Sequence, residues 1–500
     1  MKFEYCTLFK DVQLSGIFTD SKTFADAIPK QSWQVAQQAY EQADLPLTTS
    51  QLTSFVAEHF SFAPQPELQA LQKVTCVNDY IQALWPKLLR KGFTASNNSL
   101  LTLQHDYVVP GGRFNEIYYW DSYFTALGLE DSGNISLIES MVDNFVSLIE
   151  RIGCVPNGNR VYYTSRSQPP VLALMVKLLM PYKKSDIEWL KRMVDAMTKE
   201  HAFWHQGEQQ LGSSSGELKR IVKFTNGMQL NRYWDDKPEP RPESYAEDVA
   251  DAKRLPAEQQ EAFFRNIRAA CESGWDFSAR WLDDPKSLLS INTTNRVPID
   301  LNALLYLLEK TLSECLITLE QAGQSQAFSQ RAEKRKTAIL QLLWSDKHGW
   351  FCDFDLVKKQ VSPVLSLAGC VPLFAGIADE AQALAIASKL ECDFLRSGGL
   401  VSCLSETSQQ WDSPNGWAPL QWFAISGLRD YGQFDLAEDI AQRWLNMLEK
   451  DFAKRGCLLE KYNVCDPAKT AGGGEYQVQQ GFGWTNGVTS RLQVLYNNKQ

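Results

Sequence analysis

Residues 300–319 read DLNALLYLLEKTLSECLITL, and this stretch predicts a long amphipathic helix. Its apolar residues recur every three or four positions, which places them on one helix face, and they are Leu301, Leu304, Leu305, Leu308, Leu312, Cys315, Leu316 and Leu319. Asp300 precedes the first of them, where a helix N-cap is expected. The same spacing recurs at 138–152 and 437–448, and further helices are predicted at 171–181, 187–205, 257–270, 327–344 and 380–395.

Strand signals are few and lie between the predicted helices. They are HGWFCDFD at 348–355, RVYYTS at 160–165 and GCLLEKYNV at 456–464. Because strand and helix do not alternate, the pattern argues against a doubly wound sheet and against a β/α barrel. It predicts an all-α domain over residues 66–500 with short β-hairpins in its loops, and an N-terminal extension, residues 1–65, packed on it.

Composition excludes several classes of function. The 59 acidic residues outnumber the 50 basic ones in a chain of 500, which argues against a nucleic-acid partner. Eleven cysteines without a CxxC pair indicate reduced thiols rather than a disulfide framework or a zinc ribbon. Charged residues interrupt the N-terminus, MKFEYCTLFKDVQLSG, and no span approaches the about 20 apolar residues of a membrane helix. We therefore expect a soluble, cytoplasmic protein without a membrane segment.

Three short motifs do not support a catalytic prediction. HAFWH places His201 and His205 one helical turn apart, but no third ligand stands at a suitable spacing, so no metal site is predicted. GSSSG at 212–216 follows a polar stretch instead of the strand that a nucleophile elbow requires. GFGWTNG at 481–487 lacks the GxGxxG spacing of a dinucleotide loop.

The loops between helices combine aromatic rings with charges. PGGRFNEIYYWDSYF at 110–124 is the clearest case, and rings beside fixed charges suit a sugar, which has apolar faces and many hydroxyls. Arg113, Arg166 and Arg241 can donate forked hydrogen bonds to hydroxyls or keep a carboxylate ionised. We assign Tyr118, Tyr119 and Tyr123 to packing.

Two carboxyls in such loops have different expected environments. Asp276 follows Trp275 in ESGWDFSARW, and a carboxyl against an indole has a raised pKa, as a general acid requires. Glu460 lies in the strand-like LLEKY, opposite Leu459, where a polar cleft would keep it ionised and able to hold a water. Two such carboxyls are the minimum for hydrolysis of a glycoside.

The longest motifs resemble those of the α,α-trehalases, glycoside hydrolase family 37. PGGRFNEIYYWDSY and QWDSPNGWAP (410–419) resemble its two signature segments, and the likeness continues in order through DSKTF (20–24), PNGNRVYYTSRSQPP (156–170), RPESYAED (241–248), ESGWDFSARW (272–281), EKYN (460–463) and GGGEYQVQQGFGWTNGV (472–488). The resemblance implies an (α/α)6 toroid of twelve helices in two rings. It also implies hydrolysis of trehalose to two glucoses with inversion and without a cofactor. We expect a monomer of the bacterial cytoplasmic type.

The resemblance also assigns roles to individual residues. Asp276 would be the general acid and Glu460 the general base, with their carboxyls about 6.5–9.5 Å apart. Glu475 lies close to Glu460 in sequence and is the alternative candidate for the base. The glycines at 472–474 would let a loop close over the substrate. The residues implied to line two glucose subsites are Arg113, Phe114, Trp120, Asp121, Asn157, Arg166, Gln168, Arg241, Glu243, Gly274, Trp411, Asp412 and Glu475.

Three alternatives stay open from the sequence. A trehalose phosphorylase would replace the base with a phosphate site, and its reaction would depend on phosphate. A glucosidase of wider specificity would also cleave maltose. A non-enzymatic trehalose sensor would bind the sugar without turnover, although both proposed catalytic residues are present.

Overall fold

The computed structural model describes residues 3, 6–62, 74–96 and 98–496, and these are mostly helical. The α-helices are α1 Thr7–Leu14, α2 Ser21–Ala25, α3 Trp33–Glu41, α4 Thr49–His59, α5 Val77–Leu88, α6 Tyr119–Asp131, α7 Ile135–Ile152, α8 Leu172–Leu179, α9 Ile187–Trp204, α10 Glu208–Leu211, α11 Tyr245–Ala252, α12 Ala257–Ser273, α13 Ile299–Thr318, α14 Ala322–Leu342, α15 Val371–Phe374, α16 Glu380–Lys389, α17 Ala418–Asp430, α18 Phe434–Arg455 and α19 Gly483–Tyr496.

The strands are two or three residues long and pair antiparallel. They are β1 Ile28–Pro29, β2 Phe60–Ser61, β3 Leu89–Arg90, β4 Tyr107–Val108, β5 Gly216–Leu218, β6 Ile221–Lys223, β7 Gln229–Asn231, β8 Arg296–Val297, β9 Trp344–Ser345, β10 Trp350–Phe351, β11 Phe354–Asp355, β12 Gln360–Val361, β13 Leu395–Arg396, β14 Gly399–Leu400, β15 Asn415–Trp417 and β16 Lys461–Asn463. The pairs are β1–β2, β3–β4, β5–β6–β7, β8–β11–β12, β9–β10, β13–β14 and β15–β16.

Six helices form a closed inner ring. Following the chain, α6 packs on α8, α8 on α13, α13 on α15, α15 on α17 and α17 on α19, and α19 returns to α6. Outer helices cover this ring: α7 lies on α6 and α8, α9 on α8 and α13, α14 on α13, and α18 on α17 and α19. The arrangement confirms the prediction of an (α/α)6 toroid with small hairpins in its loops.

The ring closes where its first and last helices approach without side chains between them. A Cβ added to Gly128 of α6 would lie 2.6 Å from the Cα of Gly487 in α19, and one added to Gly487 would lie 2.1 Å from the carbonyl oxygen of Phe124. Real Cβ atoms do not come so close, so both positions require glycine. This close contact holds together two helices separated by most of the chain.

Two details of the predicted elements are wrong. Helix α13 begins at Ile299 after Pro298, and Asp300 lies inside its first turn, where it accepts hydrogen bonds from Arg280 at 2.9 and 3.1 Å instead of capping the helix. Residues 160–165 do not form a strand. They contain a 3₁₀ turn, Val161–Tyr163, in which Tyr162 and Tyr163 are buried.

The N-terminal helices α1–α4 enclose a hydrophobic cluster of their own. Its buried side chains include Leu8, Phe9, Phe24 and Trp33, and it extends onto the toroid through Tyr118, Tyr162 and Tyr163. The predicted boundary between residues 1–65 and 66–500 lies within 63–73, outside the described residues, so the division into domains stays a prediction. Among the described helices, none combines the length and the apolar character needed to cross a bilayer.

Candidate active site

One pocket of the toroid gathers most of the residues predicted for sugar binding. The predicted residues that line it are Arg113, Phe114, Trp120, Asp121, Asn157, Arg166, Gln168, Arg241, Glu243, Gly274, Asp276, Trp411 and Glu475. They come from the segment before and within α6, the loops after α7 and β7, the segment after α12, the loop before β15 and the loop after β16. Two predicted residues, Glu460 and Asp412, are not among the lining residues.

Asp276 reaches the pocket because α12 ends at Ser273, three residues before it. Gly274 closes the helix with φ of 75°, a left-handed conformation that favours glycine, and a Cβ there would lie 2.8 Å from the indole of Trp120. Burial, together with the charge of Glu475, raises the pKa of Asp276 to about 7, and Arg241 opposes this shift. Asp276 is therefore suited to hold a proton near neutral pH.

Glu460 lies one residue before β16 and is fully buried. Its amide donates to the carbonyl of Gln479 at 3.0 Å, and its own carbonyl accepts from the Trp484 indole at 2.9 Å. Neither of its carboxylate oxygens has a hydrogen-bond partner among the described residues, and the Lys461 ammonium lies 3.6 Å away. Burial raises the pKa of Glu460 to about 7 against the opposing charge of Lys461. The sequence had suggested a polar cleft at this position, whereas the side chain is enclosed by protein.

Two buried arginines are held by carboxylates on the pocket wall. Arg166 donates to Glu243 at 2.5 Å and to Asn157 at 3.1 Å. Arg241 donates to Asp248 at 2.6 Å and to Glu475 at 2.8 Å. These contacts fix both guanidinium planes. Nη1 of Arg166 has no hydrogen-bond partner among the described residues and is free for a ligand, whereas the five N–H donors of Arg241 are taken up by Asp248, Glu475 and Cys271.

Arg113 is less enclosed than the other two arginines. It bonds to Asp20 at 3.2 Å and lies over the ring of Tyr476 at 5.1 Å. Its backbone amide donates to the Gln479 side chain at 2.8 Å. Arg113 thus joins the N-terminal segment to the loop that carries Glu475.

Tryptophans form one side of the pocket. Trp411 stacks on Trp417 at 3.9 Å and on Trp275 at 5.1 Å, and the edge of Trp484 meets Trp417 at 5.6 Å. The backbone amide of Trp120 donates to Gln168 at 3.0 Å, which orients the residue at the start of α6. Flat indole faces of this kind are suited to the apolar face of a sugar ring.

Asp412 supports the loop that carries Asp276. Its oxygens accept from the Ser278 hydroxyl at 2.6 Å, the Ala279 amide at 2.8 Å and the Thr407 hydroxyl at 2.6 Å. Both carboxylate oxygens of Asp412 accept hydrogen bonds from protein groups. Asp412 therefore stabilises the loop and does not line the pocket.

The structure adds lining residues that sequence reasoning did not assign to the site. Asp20 and Lys22 come from the N-terminal segment. Both belong to the DSKTF motif, which resembles the trehalase family but does not by itself indicate a place in the site. Tyr118 was assigned to packing but also lines the pocket. Tyr476 and Trp484, which follow Glu475 in sequence, also line the pocket.

The HAFWH motif lies in a separate buried cluster. Glu309 of α13 supplies the third potential ligand that the sequence spacing did not reveal, and the ligand atoms of His201, His205 and Glu309 lie within 4.8 Å of one another. Arg335 occupies the same cluster, donating to Glu309 at 2.8 Å and contacting His205 at 3.2 Å. Its guanidinium already balances the carboxylate charge, so this donor set is poorly arranged for a metal ion.

The chain is similar to curated trehalases over nearly its whole length. It is 42% identical over 490 residues to the periplasmic trehalase of Salmonella schwarzengrund (strain CVM19633), covering 97% of this chain and 85% of that protein. The periplasmic trehalase of Salmonella paratyphi B gives the same values. The predicted cytoplasmic location is wrong by this comparison. It rested on the charged residues near the N-terminus, whereas the relatives that the chain matches over 97% of its length are periplasmic trehalases.

Solved structures agree with the sequence relatives. The neutral trehalase from Saccharomyces cerevisiae superposes with a TM-score of 0.64 at 26% identity, covering 84% of this chain and 80% of that chain. The family 63 mannosylglycerate hydrolase from Thermus thermophilus gives a TM-score of 0.55 at 17% identity, with 84% of this chain and 100% of that chain covered, and shows the fold alone. The family model for trehalases matches residues 16–497, and the chain belongs to the trehalase family.

Proposed function

We propose that this protein hydrolyses α,α-trehalose to two glucose molecules with inversion of configuration, using Asp276 as the general acid and Glu460 as the general base. Membership of the trehalase family supports the substrate and the reaction. The observation that carries the assignment of roles is a pair of enclosed carboxyls whose pKa values both lie at about 7, one on the pocket wall and one beside Lys461.

The proposed reaction uses the two carboxyls on opposite sides of the scissile bond. Protonated Asp276 donates its proton to the glycosidic oxygen as the bond to the anomeric carbon breaks. Ionised Glu460 takes a proton from the water that attacks this carbon from the opposite face. The attacked ring leaves as β-glucose, and the departing ring keeps its own configuration and leaves as α-glucose. No covalent intermediate forms.

The remaining pocket residues bind and orient the two rings. Arg166 is buried and pre-oriented by Glu243, so its free Nη1 group can bind a hydroxyl at little entropic cost. Arg241, whose N–H donors bond to Asp248, Glu475 and Cys271, holds Glu475 in place on the pocket wall. Trp120 and Trp411 offer flat surfaces for the apolar ring faces. We assign these residues, together with Arg113 and Asp121, to the two glucose subsites.

We propose a periplasmic location for the protein, on the basis of its curated relatives. Fractionation of cells of the source organism tests this, and activity confined to the cytosolic fraction would contradict it. The monomeric state stays a prediction, which light scattering of the purified protein would test.

The experiment that tests the assignment measures glucose release from trehalose in phosphate-free buffer. Asp276→Asn and Glu460→Gln should each lower kcat by about 10²–10⁴-fold, because each removes a proton-transfer group and keeps the shape of the site. Calorimetric binding of trehalose by Asp276→Asn should be largely retained. Near-normal turnover of either variant would contradict its role, and glucose release only with phosphate would indicate a phosphorylase. Comparable rates on maltose would indicate a broader glucosidase.

A further inference from the structure

Lys461 is a fully buried cation next to the proposed general base. It opens β16, where its backbone pairs with Trp417 of β15. Its ammonium lies 5.1 Å from the centre of the Trp417 ring and 5.6 Å from that of Tyr476. A buried ammonium costs considerable desolvation energy unless it is paired, so its position calls for a functional or structural reason.

The polar partners of Lys461 come from three separate segments. Its ammonium donates to the Gln410 side-chain oxygen at 2.6 Å and to the Gly473 carbonyl at 3.3 Å, and it lies 3.6 Å from a carboxylate oxygen of Glu460. Gln410 and Gly473 thus accept hydrogen bonds from two of the three N–H donors of the ammonium, and the contact with Glu460 is electrostatic. Of the three partners, only Glu460 carries a charge.

Gln410 extends this contact to the proposed general acid. Its side-chain amide donates to the backbone carbonyl of Asp276, while its oxygen accepts from Lys461. The backbone carbonyl of Gln410 is held by the Trp417 indole at 3.1 Å and by the Asn415 side chain at 3.0 Å. A rigid bridge therefore runs from Glu460 through Lys461 and Gln410 to the loop that carries Asp276.

We propose that Lys461 is a positioning residue of the hydrolytic reaction, which keeps Glu460 in its ionised form and, through Gln410 and Gly473, joins the base to the acid-bearing loop and to the glycine loop. This inference rests on the proposed role of Glu460 as the base. Lys461 would act through Glu460 without touching the substrate, since it is not among the pocket-lining residues.

Other charged and titratable groups face Glu460 from neighbouring elements. Arg113, from the loop before α6, also favours the ionised form, but it is paired with Asp20. Asp121 of α6 and the Tyr476 hydroxyl interact with Glu460 as well, and a negative charge on either would oppose its ionisation. Lys461 is the cation placed directly against the Glu460 carboxylate in the described part of the chain.

The pH dependence of kcat/KM on trehalose tests the proposal. An opposite charge within about 4–6 Å lowers a carboxyl pKa by about 1–3 units. Lys461→Met removes this charge, so the acid limb of the profile should move to higher pH by a shift in that range. Maximal activity should also fall. At the higher pH at which Glu460 becomes ionised in this variant, Asp276, with a pKa of about 7, has already lost much of its proton. Lys461→Arg keeps the charge and should leave the limb near its original position.

Two further variants separate a specific effect from a loss of folding. Lys461→Gln is also neutral but keeps a polar side chain, and it should show the same shift if Lys461→Met does not fold. Lys469→Met is the matched control, since its side chain is 74% exposed and paired with Asp466, and its profile should equal that of the unmodified enzyme. An unshifted acid limb in a folded neutral variant, even with reduced kcat, would overturn the proposal.

The Glu460→Gln variant distinguishes failure of this inference from failure of the proposed function. If Glu460→Gln is inactive and the Lys461 variants show an unshifted limb, only the role of Lys461 is wrong. If Glu460→Gln keeps normal turnover, the base itself is wrong, and the inference about Lys461 is overturned with it.

Discussion

At the scale of single residues, Asp276 and Glu460 differ in their charged neighbours more than in their burial. Burial raises the pKa of each to about 7. Within these values, Glu475 contributes to the rise for Asp276, whereas Lys461 limits the rise for Glu460. Neighbouring charges of opposite sign thus distinguish two similarly buried carboxyls, and neither the effect of Glu475 nor that of Lys461 was predicted from the sequence.

These pKa values predict a narrow bell-shaped profile of kcat/KM centred near pH 7. Glu460 must be ionised, so activity falls as pH drops below its pKa of about 7. Asp276 must be protonated, so activity falls as pH rises above its pKa of about 7. Initial rates on trehalose from about pH 5 to about pH 9 at constant ionic strength measure the profile. A plateau several units wide would contradict the description of either carboxyl.

Glu475→Gln should move the alkaline limb of that profile to lower pH. The change removes a negative charge that raises the pKa of Asp276 and frees Arg241 from its ion pair, and both effects favour ionised Asp276. The acid limb should stay in place, because it belongs to Glu460. If Glu475→Gln abolishes turnover and Glu460→Gln does not, the base is Glu475 instead.

At the scale of elements, the glycine loop at 472–474 determines how the wall carrying Glu475 and Tyr476 is placed. Gly473 has φ of 78°, and a Cβ there would lie 2.6 Å from the Ser408 carbonyl oxygen. Gly473→Ala should therefore destabilise this loop position by about 1–2 kcal/mol, and kcat/KM should fall about tenfold. Steady-state kinetics on trehalose measures the effect.

Gly472→Ala is the matched control for that change. Nothing lies within 4 Å of a Cβ at Gly472, and its φ is outside the left-handed region. Its kinetics should be close to those of the unmodified enzyme. Equal loss in both variants would show that general stiffening of the loop, rather than the contact with Ser408, is responsible.

Helices could be predicted from the sequence where burial on one face imposes a regular spacing, as in α7 and α18. Helix α13 was predicted from the same spacing, but it is buried on all sides over Ile299–Glu309. Predictions failed where long-range contacts override local signals. The side chain of Asp300 is directed to Arg280 and does not cap α13. Tyr162 and Tyr163 are buried against the N-terminal helices, and this packing favours a 3₁₀ turn where their β propensity had indicated a strand.

At the scale of the whole molecule, the N-terminal helices complete the pocket. Lys22 is buried and contacts Asp26 at 2.5 Å and Glu116 at 3.1 Å. Burial opposes ionisation of Glu116, but Lys22 and Arg160 outweigh it and lower its pKa to about 2. Removing one partner of such a buried pair costs about 3 kcal/mol or more. Lys22→Met should therefore lower the midpoint of thermal unfolding.

The KM of Lys22→Met and the stability of a second lysine variant, Lys30→Met, provide the controls for this prediction. Lys22 lines the pocket, so Lys22→Met should also raise KM for trehalose. Lys30→Met removes an exposed ammonium that donates to the Ala57 carbonyl, and it should change stability by less than about 0.5 kcal/mol. Unchanged stability of Lys22→Met would contradict a stabilising role for the buried pair.

The site could be predicted from the sequence only as far as motifs reach. The motif resemblance identified the residues on the pocket wall, including Arg166, Arg241 and Trp411. It did not identify Asp20 and Lys22 as lining residues, because only the folded chain brings the N-terminal segment to the pocket. Glu309 was missed for the same reason, since it stands far from His205 in sequence and meets it across two helices.

The measurement that tests the central claim most directly is proton NMR of the purified protein with trehalose in phosphate-free buffer, recorded before the glucose anomers equilibrate. Hydrolysis with inversion by Asp276 and Glu460 predicts α-glucose and β-glucose in equal amounts from the first spectrum. The appearance of α-glucose alone would mean retention through a covalent intermediate, and it would contradict the assignment of Glu460 as a base acting on water.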